Sequence, residues 1–229
     1  MMPAEPPDAL VPGTFLALLD GQERDALYAL GVRRSFPRGA VLMFQHEPGE
    51  RVMLLLTGRV KVTRAGPDGH EMLLSIRDPG DVLGELAFID DEPRLATVTS
   101  LEAVHALTIA PATFRRHLET TPRLAVALLE GGTRRFRETT LKWSQTTEAD
   151  TMGRLAARIL ELAERYGQQS GVAITVVSPL SREELAAWTG ASRAGVAHAL
   201  QGFRELGWVD TERRTLIVRD IQALRARAA

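Results

Sequence analysis

The strongest constraint on the fold is the stretch 122–150, PRLAVALLEGGTRRFRETTLKWSQTTEAD, whose helix-favouring residues start with a proline where the first helical turn tolerates one. Steps of four and three place Ala125, Leu129, Gly132, Phe136, Thr139, Trp143 and Thr146 on one stripe, a heptad-like seam. A lone apolar stripe also fits a helix laid on its own core. Thr139 and Thr140 ask for more, because they stand where a core-facing helix would carry Leu or Ile, and a polar pair on a seam needs a hydrogen-bonding partner. That partner is either the second helix of a dimer or a small polar ligand beside it.

The chain has 229 residues, 45% of them hydrophobic, enough for one large or two ordinary domains with a proper core. No run approaches the roughly 18 apolar residues of a membrane span, and the start, MMPAEPPDAL, lacks the basic and apolar parts of a signal peptide. A soluble, cytoplasmic protein without membrane contact is expected, with its Pro-rich start disordered. The absence of cysteine removes disulfides, thiolate metal sites, iron–sulfur clusters and a cysteine nucleophile. His46, His70, His105, His117 and His198 never fall at ligand spacings, so no metal cofactor is expected. The formal net charge of −1 hides an asymmetry: residues 1–150 hold 17 Lys and Arg against 21 Asp and Glu, and residues 151–229 hold 11 against 8. The basic excess lies at the C-terminal end, where a nucleic-acid contact would then be sought.

Residues 13–30 read as one or two short helices with Phe15, Leu16, Leu19, Leu27 and Leu30 on the apolar side. From residue 35 to 109 the texture changes to short β-rich runs at 41–44, 52–56, 59–64, 70–77, 95–100 and 103–109. Val60 and Val62 alternate with Arg59, Lys61 and Arg64, as in a half-buried strand. Turns at Arg38-Gly39, Pro48-Gly49, Thr57-Gly58, Gly66-Pro67-Asp68-Gly69 and Asp78-Pro79-Gly80-Asp81 separate the runs. Many short strands at this spacing predict an antiparallel double-sheet roll, and the lack of strand–helix alternation excludes a Rossmann unit.

Within the roll lies Gly80-Asp81-Val82-Leu83-Gly84-Glu85-Leu86-Ala87-Phe88, followed by Arg94. A glycine before a short helical turn leaves backbone N–H groups free to face a phosphate. Glu85 beside such a site suits a hydroxyl donor, as on a ribose, and Arg94 supplies the phosphate's counter-charge. A turn glycine, a surface glutamate and a solvated arginine account for each residue separately, so the spacing alone leaves both readings open.

The run FPRGAVLMFQHEPGERVMLLLTGRVKV with GDVLGELAFIDDEPRLATV resembles the cyclic-nucleotide-binding roll of the cyclic AMP receptor protein family of bacterial transcription regulators. The resemblance covers nearly all of the chain beyond the first dozen residues and implies an α+β protein in three parts. These are a jelly-roll sensor at 13–121, a dimerisation helix and hinge at 122–150, and a winged helix-turn-helix at 151–229. It implies cyclic AMP as effector, held by Gly84, Glu85, Leu86, Arg94, Leu95, Thr139 and Thr140. The two threonines match the family's adenine-contacting pair, one of which reaches the partner's ligand. One departure stands out: the family usually has a small hydroxyl residue directly after the cassette arginine, and this chain has Leu95. Losing one donor to a charged group costs about 1.5–3 kcal/mol, roughly 10- to 150-fold in affinity, unless another group substitutes. The segment before Arg94 is also somewhat short.

The helix ends near Glu148-Ala149-Asp150-Thr151-Met152-Gly153-Arg154, read as the hinge, where family members have residues matching Asp150, Gly153 and Arg154. Leu155, Ile159, Leu162 and Tyr166 continue as a surface helix docking on the second domain, and 167–171 is polar and loop-like. Pro179-Leu180-Ser181-Arg182-Glu183-Glu184-Leu185 opens a helix with a capping box, Ser181 at the N-cap and Glu184 three residues on. Thr189-Gly190-Ala191 makes a turn, and Ser192 caps a second helix from 193 to 206, the outline of a helix-turn-helix. Val196, Ala199, Leu200 and Phe203 point inward, leaving Arg193, Ala194, Ala197, His198 and Gln201 outward. An arginine near that N-terminus is placed to read guanine.

SREELAAWTGASRAGVAHALQGFRELGWV is similar to the winged helix-turn-helix of the same family, in which Arg193 matches the guanine-reading arginine. Ala194 replaces an acidic base-reader and His198 a second arginine, which points to a different operator sequence. Residues 208–210 and 215–218 make the wing hairpin, with Arg213 and Arg214 at its tip for phosphates, or as a solvated turn. The expected DNA-binding set is Ser181, Ser192, Arg193, Ala194, His198, Gln201, Arg213 and Arg214. The resemblance implies a homodimer on a palindromic double-stranded operator, acting with RNA polymerase, for which the segment 168–171 is the family's analogue of a contact. The rival is the same regulator acting without cyclic nucleotide or with another small anionic ligand. An enzyme is excluded, because no Ser/His/acid arrangement, Walker loop or Rossmann loop is present.

Overall fold

The computed structural model describes residues 10–67, 69–146, 149–177, 180–212 and 214–228, with backbone alone for 141–146. The Pro-rich start, Asp68, Glu148, Pro179 and Arg213 lie outside the described residues, as do the side chains of Trp143 and Thr146. Two compact units are present, Met1–Arg137 and Glu138–Ala229, divided inside the long helix. Among the described residues no helix is long and apolar enough to cross a membrane.

Among the described residues of the first unit, a 3-10 turn (Leu16–Leu18) and α1 (Gly21–Tyr28) precede eight strands. Asp20 starts α1 with a reciprocal capping box to Glu23, which satisfies two backbone N–H groups that a helix start leaves without partners. The strands are β1 (Val32–Phe36), β2 (Val41–Met43), β3 (Val52–Thr57), β4 (Val60–Ala65), β5 (Glu71–Arg77), β6 (Val82–Leu83), β7 (Thr97–Ser100) and β8 (Val104–Ile109). They form two antiparallel sheets, ordered β1-β8-β3-β6 and β2-β7-β4-β5, the double-sheet roll that the short runs separated by turns predict.

Leu42, Met43, Met53, Leu55, Val60, Leu83, Val98, Val104 and Ala106 fill the space between the sheets. Val52, Leu54, Leu56, Leu107 and Ile109, on the opposite face of β3 and β8, pack under Phe15, Leu16, Leu19, Leu27 and Phe114. These two strands are covered on both faces, and for that reason Val52–Thr57 reads as a continuous apolar run. In β4 a register shift between Val62 and Thr63 breaks the expected alternation, burying Val60 and Thr63 and leaving Val62 half-buried. β1, absent from the sequence expectation, lies at the sheet edge against β8 with nearly all its side chains outward.

The five-residue α2 (Glu85–Ile89) interrupts the roll, and α3 (Pro111–Thr120) leads into α4 (Pro122–Thr146). The face of α4 that covers the roll is Leu124, Ala127 and Leu128. The seam lies elsewhere on the helix: Leu129 is 69% and Phe136 75% exposed, with Ala125 and Thr139 also outward. The seam is therefore not the stripe by which α4 meets its own core.

In the second unit α5 (Thr151–Tyr166) is the central helix, with Leu155, Ala156, Ile159, Leu160, Leu162 and Ala163 buried. It is more deeply buried than the surface helix expected from its stripe. Asp150 caps it by accepting from Gly153 N–H at 2.9 Å. β9 (Gly167–Ser170), β10 (Ala173–Val177), β11 (Val209–Glu212) and β12 (Thr215–Val218) form one sheet, ordered β11-β12-β10-β9. The 167–171 segment, expected as a loop, is mostly strand. Its side chains are exposed and its pairing with β10 is made by backbone groups, which polarity does not report. Helices α6 (Arg182–Thr189), α7 (Arg193–Glu205) and α8 (Ile221–Ala228) complete the unit.

Candidate functional site

The cassette is built where β6 ends. Gly84 caps α2 in the left-handed region, φ 78°, which disfavours any side chain. A Cβ there would also stand 2.3 Å from Arg94 Nη1 and 3.0 Å from Met43 Sδ. The glycine thus lets an arginine close onto the helix start, whose first N–H groups have no acceptor within the helix.

Arg94 is buried to 4% exposure. Its backbone is held by Glu47 O and His46 N, and its Nη2 donates to Arg51 O at 2.8 Å. Nε and Nη1 are buried and meet no acceptor among the described residues. Burial pushes this guanidinium below its ordinary pKa; Arg51 acts in the same direction, while Glu47, Glu50 and Glu85 oppose it. Unmatched buried N–H groups on a cation are costly, and an anion with several acceptor oxygens relieves that cost.

Glu85 is buried and its carboxylate is ion-paired with Arg135 of α4. Arg135 escaped the sequence reading, since it is one of three arginines in Thr133–Arg137 with no motif to single it out. An acidic acceptor, a cationic donor with spare N–H groups and a glycine between them fit a cyclic sugar phosphate. Leu86 and Leu95 are exposed, and Leu95 brings no donor. Thr139 and Thr140 are exposed on α4 and belong to the second unit, so within the first unit the structure brings together Gly84, Glu85 and Arg94.

In the second unit, Ser181 and Glu184 form the predicted capping box on α6, and Gly190 ends that helix in the left-handed region. Ser192 caps α7 by accepting from Gly195 N–H at 3.0 Å. Val196, Ala199, Leu200 and Phe203 face the core, and Arg193, Ala194, His198 and Gln201 are exposed, as their spacing predicts. Arg193 is ion-paired with Glu183 of α6, and Gln201 donates to Glu205 at 2.9 Å. Arg154 ties the elements together, its Nη1 donating to Ala149 O and its Nε to Thr189 O at the end of α6, where a cation meets the negative end of the helix dipole. β11 and β12 form the wing, with Arg214 exposed at its tip in left-handed backbone, φ 61°.

Residues 33–121 match the model of the cyclic nucleotide-binding domain, and residues 153–227 that of the Crp-like helix-turn-helix domain. The CRP-like cAMP-activated global transcriptional regulator of Mycobacterium tuberculosis is 35% identical over 214 residues, covering 92% of this chain and 96% of that protein. The c-di-GMP responsive global regulator CLP of Xanthomonas campestris shares the fold at 19% identity, with a TM-score of 0.80 over 88% of this chain and 100% of that one. A mutant CooA of Carboxydothermus hydrogenoformans does so at 20% identity, with a TM-score of 0.79 over 96% and 98%. A cyclic-nucleotide-binding roll followed by a Crp-like reading head defines a DNA-binding transcription regulator and not an enzyme. The chain belongs to the cyclic AMP receptor protein (CRP/FNR) family.

Proposed function

We propose that this protein is a homodimeric transcription regulator whose operator affinity is set by cyclic AMP held between the sensor roll (13–121) and the dimerisation helix with its hinge (122–150), the reading head being 151–229. The observation that carries the effector is Arg94, a buried cation with two unmatched donor nitrogens, one of them, Nη1, against Gly84. Gly84, Glu85, Leu86 and Arg94 form the sugar-phosphate side, and Thr139 and Thr140 take the purine. Two similar proteins support the class of ligand by their names: one is cAMP-activated and another c-di-GMP responsive. The exposed seam of Leu129 and Phe136 supports pairing with a second copy of α4.

The mechanism is a population shift: the ligand binds better to the form in which both recognition helices face successive major grooves, about 34 Å apart. A two-fold dimer reads a palindromic operator. Arg193 reads guanine, His198 and Gln201 flank it beside Ala194, Ser181 and Ser192 position the helices, and Arg214 with Arg213 meets phosphates. The β9–β10 hairpin, with Val172 exposed at its tip, is the surface offered to RNA polymerase. Acting on DNA in this reading, the protein would work in the cytoplasm.

Calorimetric titration with cyclic AMP, with cyclic GMP as control, tests the reading. Saturable micromolar or tighter binding, lost in Arg94→Ala and weakened in Thr139→Ala without loss of folding, is the expected result. Leu95 supports a second reading, a regulator acting without cyclic nucleotide or with another small anion. No heat from protein that still binds promoter DNA establishes that alternative.

A further inference from the structure

Arg94 is not the only arginine beside the cassette with an unmatched buried donor: Arg51 is half-buried, and its Nε is buried. Arg51 stands one residue before β3, in which Val52 and Leu54 face the outer core while Met53 and Leu55 face the interior of the roll. By strand alternation Arg51 falls on the side of Met53. Its Nη2 donates to Leu42 O at 2.9 Å, which fixes the guanidinium against β2, next to the Met43 whose thioether lies over Gly84. Its backbone carbonyl accepts from Arg94, so the two arginines are tied together. The Nε of Arg51 is buried without an acceptor among the described residues, as are Nε and Nη1 of Arg94. Two neighbouring like charges with three unmatched buried donor nitrogens between them cost stability, and a shared anion would relieve that cost.

We propose that Arg51 is a second phosphate-binding residue of the sensor roll, whose Nε–H supplies the donor that Leu95 cannot. This rests on the cyclic nucleotide reading above and accounts for how an affinity survives without the hydroxyl. Arg51 has no place in the motif GDVLGEL and is brought to the cassette only by closure of the roll.

The test is a double-mutant cycle on the full-length protein, with cyclic AMP affinity measured by calorimetry for the wild type, Arg51→Gln, Leu95→Thr and the double variant, and thermal melting as the check on folding. Arg51→Gln is expected to weaken binding roughly 10- to 150-fold. Leu95→Thr is expected to recover most of that loss when combined with Arg51→Gln, while improving the wild type far less. If Leu95→Thr changes affinity by the same factor in both backgrounds, Arg51 only shapes the loop and the inference is overturned while the sensor reading stands. If the wild type binds neither nucleotide yet binds DNA, both fall together. Should Arg51→Gln melt too early to titrate, Arg51→Lys keeps the cation and removes the Nε–H. A wild-type affinity in that variant also overturns the inference.

Discussion

The carboxylate of Glu85, at the start of α2, is ion-paired with the guanidinium of Arg135 in α4, and the two side chains are only 10% and 17% exposed. The pair joins the acidic acceptor of the cassette directly to the long helix, fifty residues further along the chain. A ligand hydroxyl that donates to Glu85 would therefore share its acceptor with a residue of α4. Removing one partner of a buried pair strands the other charge, at a cost on the order of 3 kcal/mol. Arg135→Ala is expected to lower the urea midpoint of the first unit and to weaken cyclic AMP binding. Replacing both residues, as Glu85→Gln with Arg135→Met, should recover part of the stability and none of the binding.

The seam of α4 gives a second expectation. Phe136 is 75% exposed in the single chain, although α4 is anchored to its own roll by Leu124, Ala127 and Leu128. Phe136→Glu puts a charge on the proposed interface and leaves the roll core untouched. Sedimentation should show a monomer with an unchanged melting profile for the roll; a dimer that persists would move the interface elsewhere.

Asp150 carries a pH signature. The Gly153 N–H, and then the Arg227 guanidinium bonded to both its oxygens, hold its carboxyl below the usual carboxylate range. A depressed folded pKa contributes stability above the unfolded value of about 3.9, and that contribution disappears as pH falls through the lower folded value. Asp150→Asn keeps a cap and loses the charge. Its stability deficit should be constant from pH 6 to 8 and should shrink below about pH 4, as measured by urea unfolding across that range. A deficit that does not change with pH would mean that ionisation plays no part.

The reading head separates two kinds of contact. Arg193→Ala is expected to cost about 1–3 kcal/mol on the specific operator and to relax sequence preference at one position. Arg214→Ala should weaken binding to all duplexes alike, and should reduce the slope of log affinity against log salt by about 0.9. Fluorescence anisotropy on specific and random DNA at several salt concentrations distinguishes them. Equal losses on both DNAs for Arg193→Ala would remove it from base reading.

The features read correctly from the sequence are those encoded within a few residues of one another. The Ser181–Glu184 capping box, the Ser192 cap and the inward stripe of Val196, Ala199, Leu200 and Phe203 depend on helix geometry alone, and each is found where its spacing put it. Gly84, with φ 78°, similarly belongs to the local turn of the cassette. Strands that carry no burial signal were missed: Val32–Phe36 turns its side chains outward from an edge, and Gly167–Ser170 is polar throughout.

The sequence by itself determined the order of the parts, the double-sheet roll with its cassette, and the faces of the helix-turn-helix, because caps, turns and hydrophobic periods act over one or two turns of chain. Only the tertiary structure decided which stripe of α4 covers the roll and which is left exposed, since both stripes are apolar at helical spacing. It alone brought Arg135 to Glu85 across fifty residues and Arg94 to Arg51 across forty-three. Those pairings arise when two closed sheets bring distant backbone into register and exclude water around charged side chains, and no local pattern specifies which arginine will be reached.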